Sequence, residues 1–135
     1  MDSTINNQQN HLPLLLRNLK KAFDQNIQGP IFQQERQYRA TAKSNFLYDI
    51  AKFLSIRGVD KLAAIIAWNG SNEIKLAYHF IAKIGTEMLD SKITIITFLP
   101  NNKKSIYSLK KLFNNARIFE EEITNQFDVN FKEKK

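Results

Sequence analysis

Few side chains in this sequence are able to carry acid–base, nucleophilic or metal chemistry. There are two histidines, His11 and His79, far apart along the chain. A transition-metal site needs imidazole, thiolate or carboxylate ligands brought together in sets of three or four. His11 lies in a polar N-terminal segment. His79 falls on the more polar side of a strand, beside Lys75 and Glu73, where a solvated or hydrogen-bonded histidine is expected instead of a ligand. The absence of cysteine removes disulfides, thiolate zinc sites, iron–sulfur ligation and a thiol nucleophile. Glu120, Glu121 and Glu122 are consecutive, and convergent carboxylates would serve general acid–base catalysis. At ~100° per residue of helix the three radiate, so a charged solvent or interface face is expected. With Asp128 they form an acidic patch on a basic protein, a reversal of sign that favours docking to a basic partner. Neither Gly-x-Gly-x-x-Gly nor a Walker sequence occurs, and no serine sits in a nucleophile elbow. The chemistry to expect is recognition, with no cofactor and no catalytic residue.

The elements that must hold these groups can be placed from periodicity. Leu12, Leu15, Leu16, Leu19 and Phe23 recur at helical spacing over residues 12–24, with Pro13 tolerated in the first turn. Gly29-Pro30 punctuates the chain, and a strand is expected within residues 31–42. A second helix follows, capped by Ser44 or Asn45, with Phe46, Leu47, Ile50, Phe53 and Leu54 on its apolar face and Gly58 as its stop. The segment Leu62–Trp68 is nearly all apolar and is expected to be a central, covered strand. Asn69-Gly70 is a hairpin signal. The return strand over residues 73–81 puts Ile74, Leu76, Tyr78 and Phe80 on one side. Residues 92–99 form a further strand, and a short helical turn is expected around residues 105–113. In the last helix Leu112, Ala116, Phe119, Ile123 and Phe127 fall on one inward stripe, while Ile118, Glu121 and Asn125 point away. An isoleucine exposed among polar residues marks a contact surface.

Helices not interleaved one-for-one with strands predict an α+β fold, a largely antiparallel sheet of about four strands packed against helices on one face. At 135 residues the chain fits one domain, expected over residues 12–131, with a flexible lead-in at 1–11 and a basic tail at 132–135. The N-terminus has neither the basic start nor the apolar run of a secretory signal, and no apolar run reaches the ~20 residues of a membrane span. The net charge of +7 rests on clustered lysines, with arginine scarce. Without arginine forks or interleaved aromatics, nucleic-acid readout is not expected. A basic adaptor gripping RNA or another polyanion through Lys103, Lys104, Lys110 and Lys111 is the alternative reading.

Several segments carry a family resemblance: Leu47-Tyr-Asp-Ile50, Ala77-Tyr-His-Phe-Ile81, Ser108-Leu-Lys-Lys-Leu-Phe-Asn-Asn-Ala116, and Glu120-Glu-Glu-Ile-Thr-Asn-Gln-Phe-Asp-Val-Asn-Phe131. In order and spacing over residues 44–131 the chain resembles the small hydrophilic C subunit of respiratory complex I, the 30-kilodalton subunit of NADH dehydrogenase. It is similar also to the equivalent subunit of membrane-bound energy-converting nickel–iron hydrogenases. That family reads Val-Tyr-His-Leu in the strand, Ser-Leu-x-x-Leu-Phe-Pro-x-Ala after it, and Glu-Arg-Glu-Val-Tyr-Asp-Leu-Phe-Gly-Ile-x-Phe at the end. Here Glu121 stands in place of Arg, Thr124-Asn125 in place of Tyr-Asp, Asp128 in place of Gly, and Ile118 at a position that is often Trp. A His-, Pro- and Arg-rich segment follows in the family where this sequence has Lys132-Glu-Lys-Lys135, which implies a pared-down or strongly diverged version.

The resemblance implies a non-catalytic structural subunit of the peripheral arm of a complex I-like oxidoreductase, with no flavin, cluster or metal of its own. Its partners would be the large subunit carrying the quinone pocket or nickel–iron centre and an iron–sulfur subunit. Membrane association would come only through the complex, on the cytoplasmic or organelle-matrix side. Ile118, Glu121, Glu122, Asn125 and Asp128 are the residues expected at the partner interface.

Overall fold

In the computed structural model, residues 12–84 and 88–135 are described; the lead-in expected at 1–11, and His11 with it, lies outside them. Helix α1 spans Leu14–Phe23 and a 3-10 turn leads into the hairpin of β1 (Ile27–Gln34) and β2 (Gln37–Ala42). A second 3-10 turn, Ser44–Phe46, precedes α2 (Leu47–Ile56). Strands β3 (Lys61–Asn69), β4 (Glu73–Ile84) and β5 (Leu89–Pro100) follow, then β6 (Ser105–Tyr107), α3 (Ala116–Phe127) and β7 (Asn130–Lys132). The main sheet has five strands in the order β1-β2-β5-β4-β3, antiparallel except where β2 runs parallel to β5. The fold is α+β, as the element order predicts, with five strands in place of about four.

Alternation in β4 sets the core. Ile74, Leu76, Tyr78 and Phe80 are all essentially inaccessible, and in register with them lie Leu99, Thr97, Ile95 and Ile93 of β5. Leu16 and Leu19 of α1, Leu47, Ile50 and Leu54 of α2, and Ala116 and Ile123 of α3 join the same apolar cluster. Each buried leucine or isoleucine contributes ~1.5–3 kcal/mol relative to exposure. Helix α2 ends as its sequence requires: Gly58 adopts φ 100°, its N–H donates to the Ser55 carbonyl, and the Val59 N–H donates to the Leu54 carbonyl. This is a Schellman closure, which needs a left-handed residue just past the helix.

Five expectations are corrected. The segment 62–68 is not central: β3 is an edge strand, and its outward residues Ile66 and Trp68 are 41% and 45% exposed. An apolar run does not distinguish a strand covered on both sides from an edge strand whose outer side is itself apolar. Gly29-Pro30 does not end an element but lies inside β1, where the pairing register shifts between Gln28 and Ile31; a proline is accommodated at such irregularities of an edge strand. The strand expected within 31–42 is therefore a hairpin, turned by Glu35-Arg36 with Arg36 at φ 58°. No side chain caps α2, because Ser44 and Asn45 are spent in the 3-10 turn before it. The turn expected at 105–113 begins as β6, which pairs in parallel with β7.

Candidate partner interface on the last helix

Helix α3 is fixed at its start, middle and end. At the start, Asn115 Nδ2 donates to the Leu62 carbonyl on the edge strand at 2.8 Å. In the middle, Glu120 is buried at 5% exposure. Its Oε1 accepts from the Ser108 hydroxyl at 2.6 Å and its Oε2 from the Leu109 N–H at 2.8 Å. The Ser108 oxygen in turn accepts from the Lys110 N–H at 3.1 Å. Burial pushes the Glu120 carboxyl above its ordinary value, opposed by the Ser108 and Leu109 hydrogen bonds and by the Lys110 charge. At the end, the Thr124 hydroxyl donates to the Val129 carbonyl at 2.8 Å, and Lys104 Nζ reaches the Phe127 carbonyl at 3.1 Å. Asp128 takes the left-handed cap position at φ 59°, the backbone state in which glycine is favoured and Asp is among the tolerated residues.

The first Glu of the run is therefore not part of a charged outer face. On the helical wheel Glu120 lies only ~40° from Ala116, inside the apolar stripe, and the structure fills that place with a hydrogen-bonded carboxylate. Ala116 and Ile123 are buried as expected, whereas Leu112, Phe119 and Phe127 are half-buried. The Ser108–Glu120 contact joins two segments of the resemblance, the Ser-Leu turn and the Glu-rich helix.

Ile118 is 67% exposed, and Glu121, Glu122, Asn125 and Asp128 are exposed as well. Residues 118, 121, 122 and 125 stand at i, i+3, i+4 and i+7, one continuous ridge along the helix; Asp128 sits beyond the ridge, in the cap. An open groove runs along one flank, lined by Lys110, Arg117, Glu121, Asn125 and Phe131 among others. Lys110, Arg117 and Phe131 are additions to the residues expected at the interface. Arg117 is visible on the wheel four residues before Glu121, but Phe131 arrives only through the β6–β7 pairing.

The remaining candidates are placed elsewhere. His79 lies on the side of the sheet away from the helices, its Nδ1 2.9 Å from the Thr94 hydroxyl; burial and the Lys92 charge lower its pKa. Lys104 is engaged at the end of α3, and Lys111 contacts Glu133 at 3.7 Å and the Lys134 carbonyl, while Lys103 and Lys110 are exposed. Among the described residues no three His, Cys, Asp or Glu side chains cluster as metal ligands would. The groove offers charge, a half-buried ring and the exposed Glu121 carboxylate, an arrangement suited to binding.

A small α+β domain with a rigidly anchored, decorated last helix is the class that fold and surface define. Residues 40–135 match the family described as respiratory-chain NADH dehydrogenase, 30 Kd subunit, and the chain belongs to that family. It is thus a member of a family of respiratory-chain complex subunits, which implies partner subunits. No curated protein matches it. Among solved structures it is similar to a chain of the membrane-bound sulfane sulfur reductase, an archaeal respiratory membrane complex. The TM-score there is 0.74 at 18% identity, covering 90% of this chain and 70% of that one. It is similar also to a trypsin-resistant fragment of Nqo5, with a TM-score of 0.69 at 16% identity over 85% of this chain and 92% of that one. At such identities the likeness is one of fold. Among the described residues no helix is long and apolar enough to cross a membrane.

Proposed function

We propose that this chain is a non-catalytic scaffolding subunit in the peripheral arm of a membrane-bound, complex I-like oxidoreductase. It holds redox-carrying subunits in register through the ridge of Ile118, Glu121, Glu122 and Asn125, with Asp128 at its end. The observation that carries this reading is the inversion on α3, an isoleucine 67% exposed opposite a carboxylate that is 5% exposed and hydrogen-bonded inside. A large apolar side chain held out on a rigid helix between carboxylates is a recognition surface. It serves no purpose in the fold of the chain by itself. The partners are a large subunit bearing a quinone pocket or nickel–iron centre and an iron–sulfur subunit, on the cytoplasmic or matrix side of the membrane. The chain contributes fixed spacing to electron transfer and binds no cofactor itself.

Affinity purification of tagged protein from detergent-solubilised native membranes, with mass spectrometry, tests this reading. Recovery of quinone-site or nickel–iron and iron–sulfur subunits is the expected result, and Ile118→Asp should lower their recovery by tenfold or more while leaving the chain folded. Recovery of the chain alone, or of nucleic acid released by salt, would reject it.

A further inference from the structure

The helices cover one face of the main sheet, and the reverse face has a composition of its own. Cross-strand rows there run Trp68, Lys75, Phe98 and then Ile66, Ala77, Ile96. Ala77 and Ile96 are buried at 2% and 8% exposure yet stand outside the main core cluster. They are shielded by the side chains around them, of which Ile66, Trp68 and Phe98 remain 41%, 45% and 39% exposed. A solvated sheet face ordinarily alternates to polar residues; here these two rows are apolar but for Lys75.

Charge around this patch has one dominant sign. Lys75 lies over the Trp68 ring at 5.1 Å, and Lys92 and Arg39 flank the His79–Thr94 pair in the adjoining row. Among the described residues none of these three cations forms an ion pair; Lys83 is matched by Asp90 at 3.1 Å, and Glu73 at one end is the remaining carboxylate of the face. The last helix packs against β3 from the covered side, so its acidic ridge and this basic, apolar face point in opposite directions.

We infer that the uncovered face of the five-stranded sheet is a second docking surface, seating a protein subunit whose contact patch is apolar and rimmed by carboxylates. An acidic rim complements Lys75, Lys92 and Arg39, and an apolar centre removes Ile66, Trp68 and Phe98 from water, the usual layout of apolar core and polar rim. A nucleic-acid platform fits less well, because the lysine already occupies a face of the indole and Phe98 adds one further ring to the patch, short of the run of free rings on which bases stack. Opposite charge on the two surfaces means two different partners, with the chain wedged between them. That last step rests on the reading of α3 above; the sheet-face site does not.

A benzoylphenylalanine cross-linker at position 66, activated in intact cells of the native host, tests the inference. The expected product joins this chain to one other protein through a peptide rich in Asp or Glu among apolar residues. Lys75→Glu with Lys92→Glu should lower its yield at least tenfold without changing the thermal melting of the isolated chain, and Ile118→Asp should leave it in place. Absence of the cross-link, or a cross-link to a second copy of this chain, overturns the inference. So does a blue shift of the emission of Trp68, the only tryptophan, on adding phosphatidylglycerol vesicles, or its quenching by poly-uridylate. Should the membrane purification recover no redox subunits while the cross-link persists, the subunit reading fails and the docking surface stands.

Discussion

The two faces of α3 reverse the usual relation between polarity and burial. Inside, among Ala116, Ile123 and the core, sits a carboxylate, Glu120; outside, between Glu121 and Glu122, stands Ile118 at 67% exposure. The difference lies in partners. Glu120 faces a hydroxyl and an N–H at 2.6 and 2.8 Å that share the cost of its desolvation. Ile118 has no such account within the chain. An internal polar group with satisfied bonds positions the helix, whereas an external apolar group left two-thirds exposed leaves something to be met from outside.

A matched pair of truncations breaks or sharpens this contrast most strongly. Ile123→Ala removes a side chain that is 4% exposed and should destabilise the isolated chain by about 3 kcal/mol in urea denaturation. Ile118→Ala should stay within about 0.5 kcal/mol of the parent. Equal losses would mean that Ile118 is part of the core and would remove the basis for the interface.

The next effect is at Glu120. Glu120→Ala strands the Ser108 hydroxyl and the Leu109 N–H and should cost about 2 kcal/mol; Glu120→Gln, which keeps an acceptor oxygen, should cost about 1 kcal/mol. A neutral Glu120→Ala would show that the turn before α3 finds other partners and that the helix is not held by this contact.

These residues also show what the chain discloses locally. Ile74, Leu76, Tyr78 and Phe80 are legible because strict alternation has one meaning for a strand covered on one side. Gly58 is legible because a left-handed helix end demands it. Ile118 is legible on the wheel, and so are Glu121, Glu122 and Asn125 on the same ridge. Glu120 was hidden in plain view: three identical neighbours invite one interpretation, and its burial depends on Ser108, which only the tertiary turn brings beneath it. The edge position of β3 and the β6–β7 pairing are equally non-local. The parallel step from β2 to β5 passes over two strands in sequence, and no periodicity within either strand encodes it. Tertiary partners decide these features, and a pattern read along one segment does not contain them.

A smaller effect concerns Tyr78, fully buried with its hydroxyl lacking a hydrogen-bond partner among the described residues. Burial, with the Glu120 charge as the lesser cause, holds its pKa well above the ordinary value. Tyr78→Phe deletes an unsatisfied polar atom and should stabilise the chain by about 1 kcal/mol. A loss of similar size would mean that the hydroxyl is satisfied and belongs to the polar network under α3.

The smallest effect is a slope with pH. Because burial raises the folded-state pKa of Glu120 above its ordinary 4.5, its stabilising contribution is complete below that value and is lost as pH rises through the folded value. Glu120→Gln carries no titration, so its deficit relative to the parent should shrink by a fraction of a kcal/mol between pH 4 and pH 7. Paired denaturation curves across that range read the change directly. A deficit that grows with pH would reverse the sign: the Ser108 and Leu109 hydrogen bonds would then outweigh burial, and the inner face of α3 would be organised around an ionised carboxylate. In that case the helix carries buried negative charge opposite its exposed acidic ridge, and a basic partner at Ile118 would feel both.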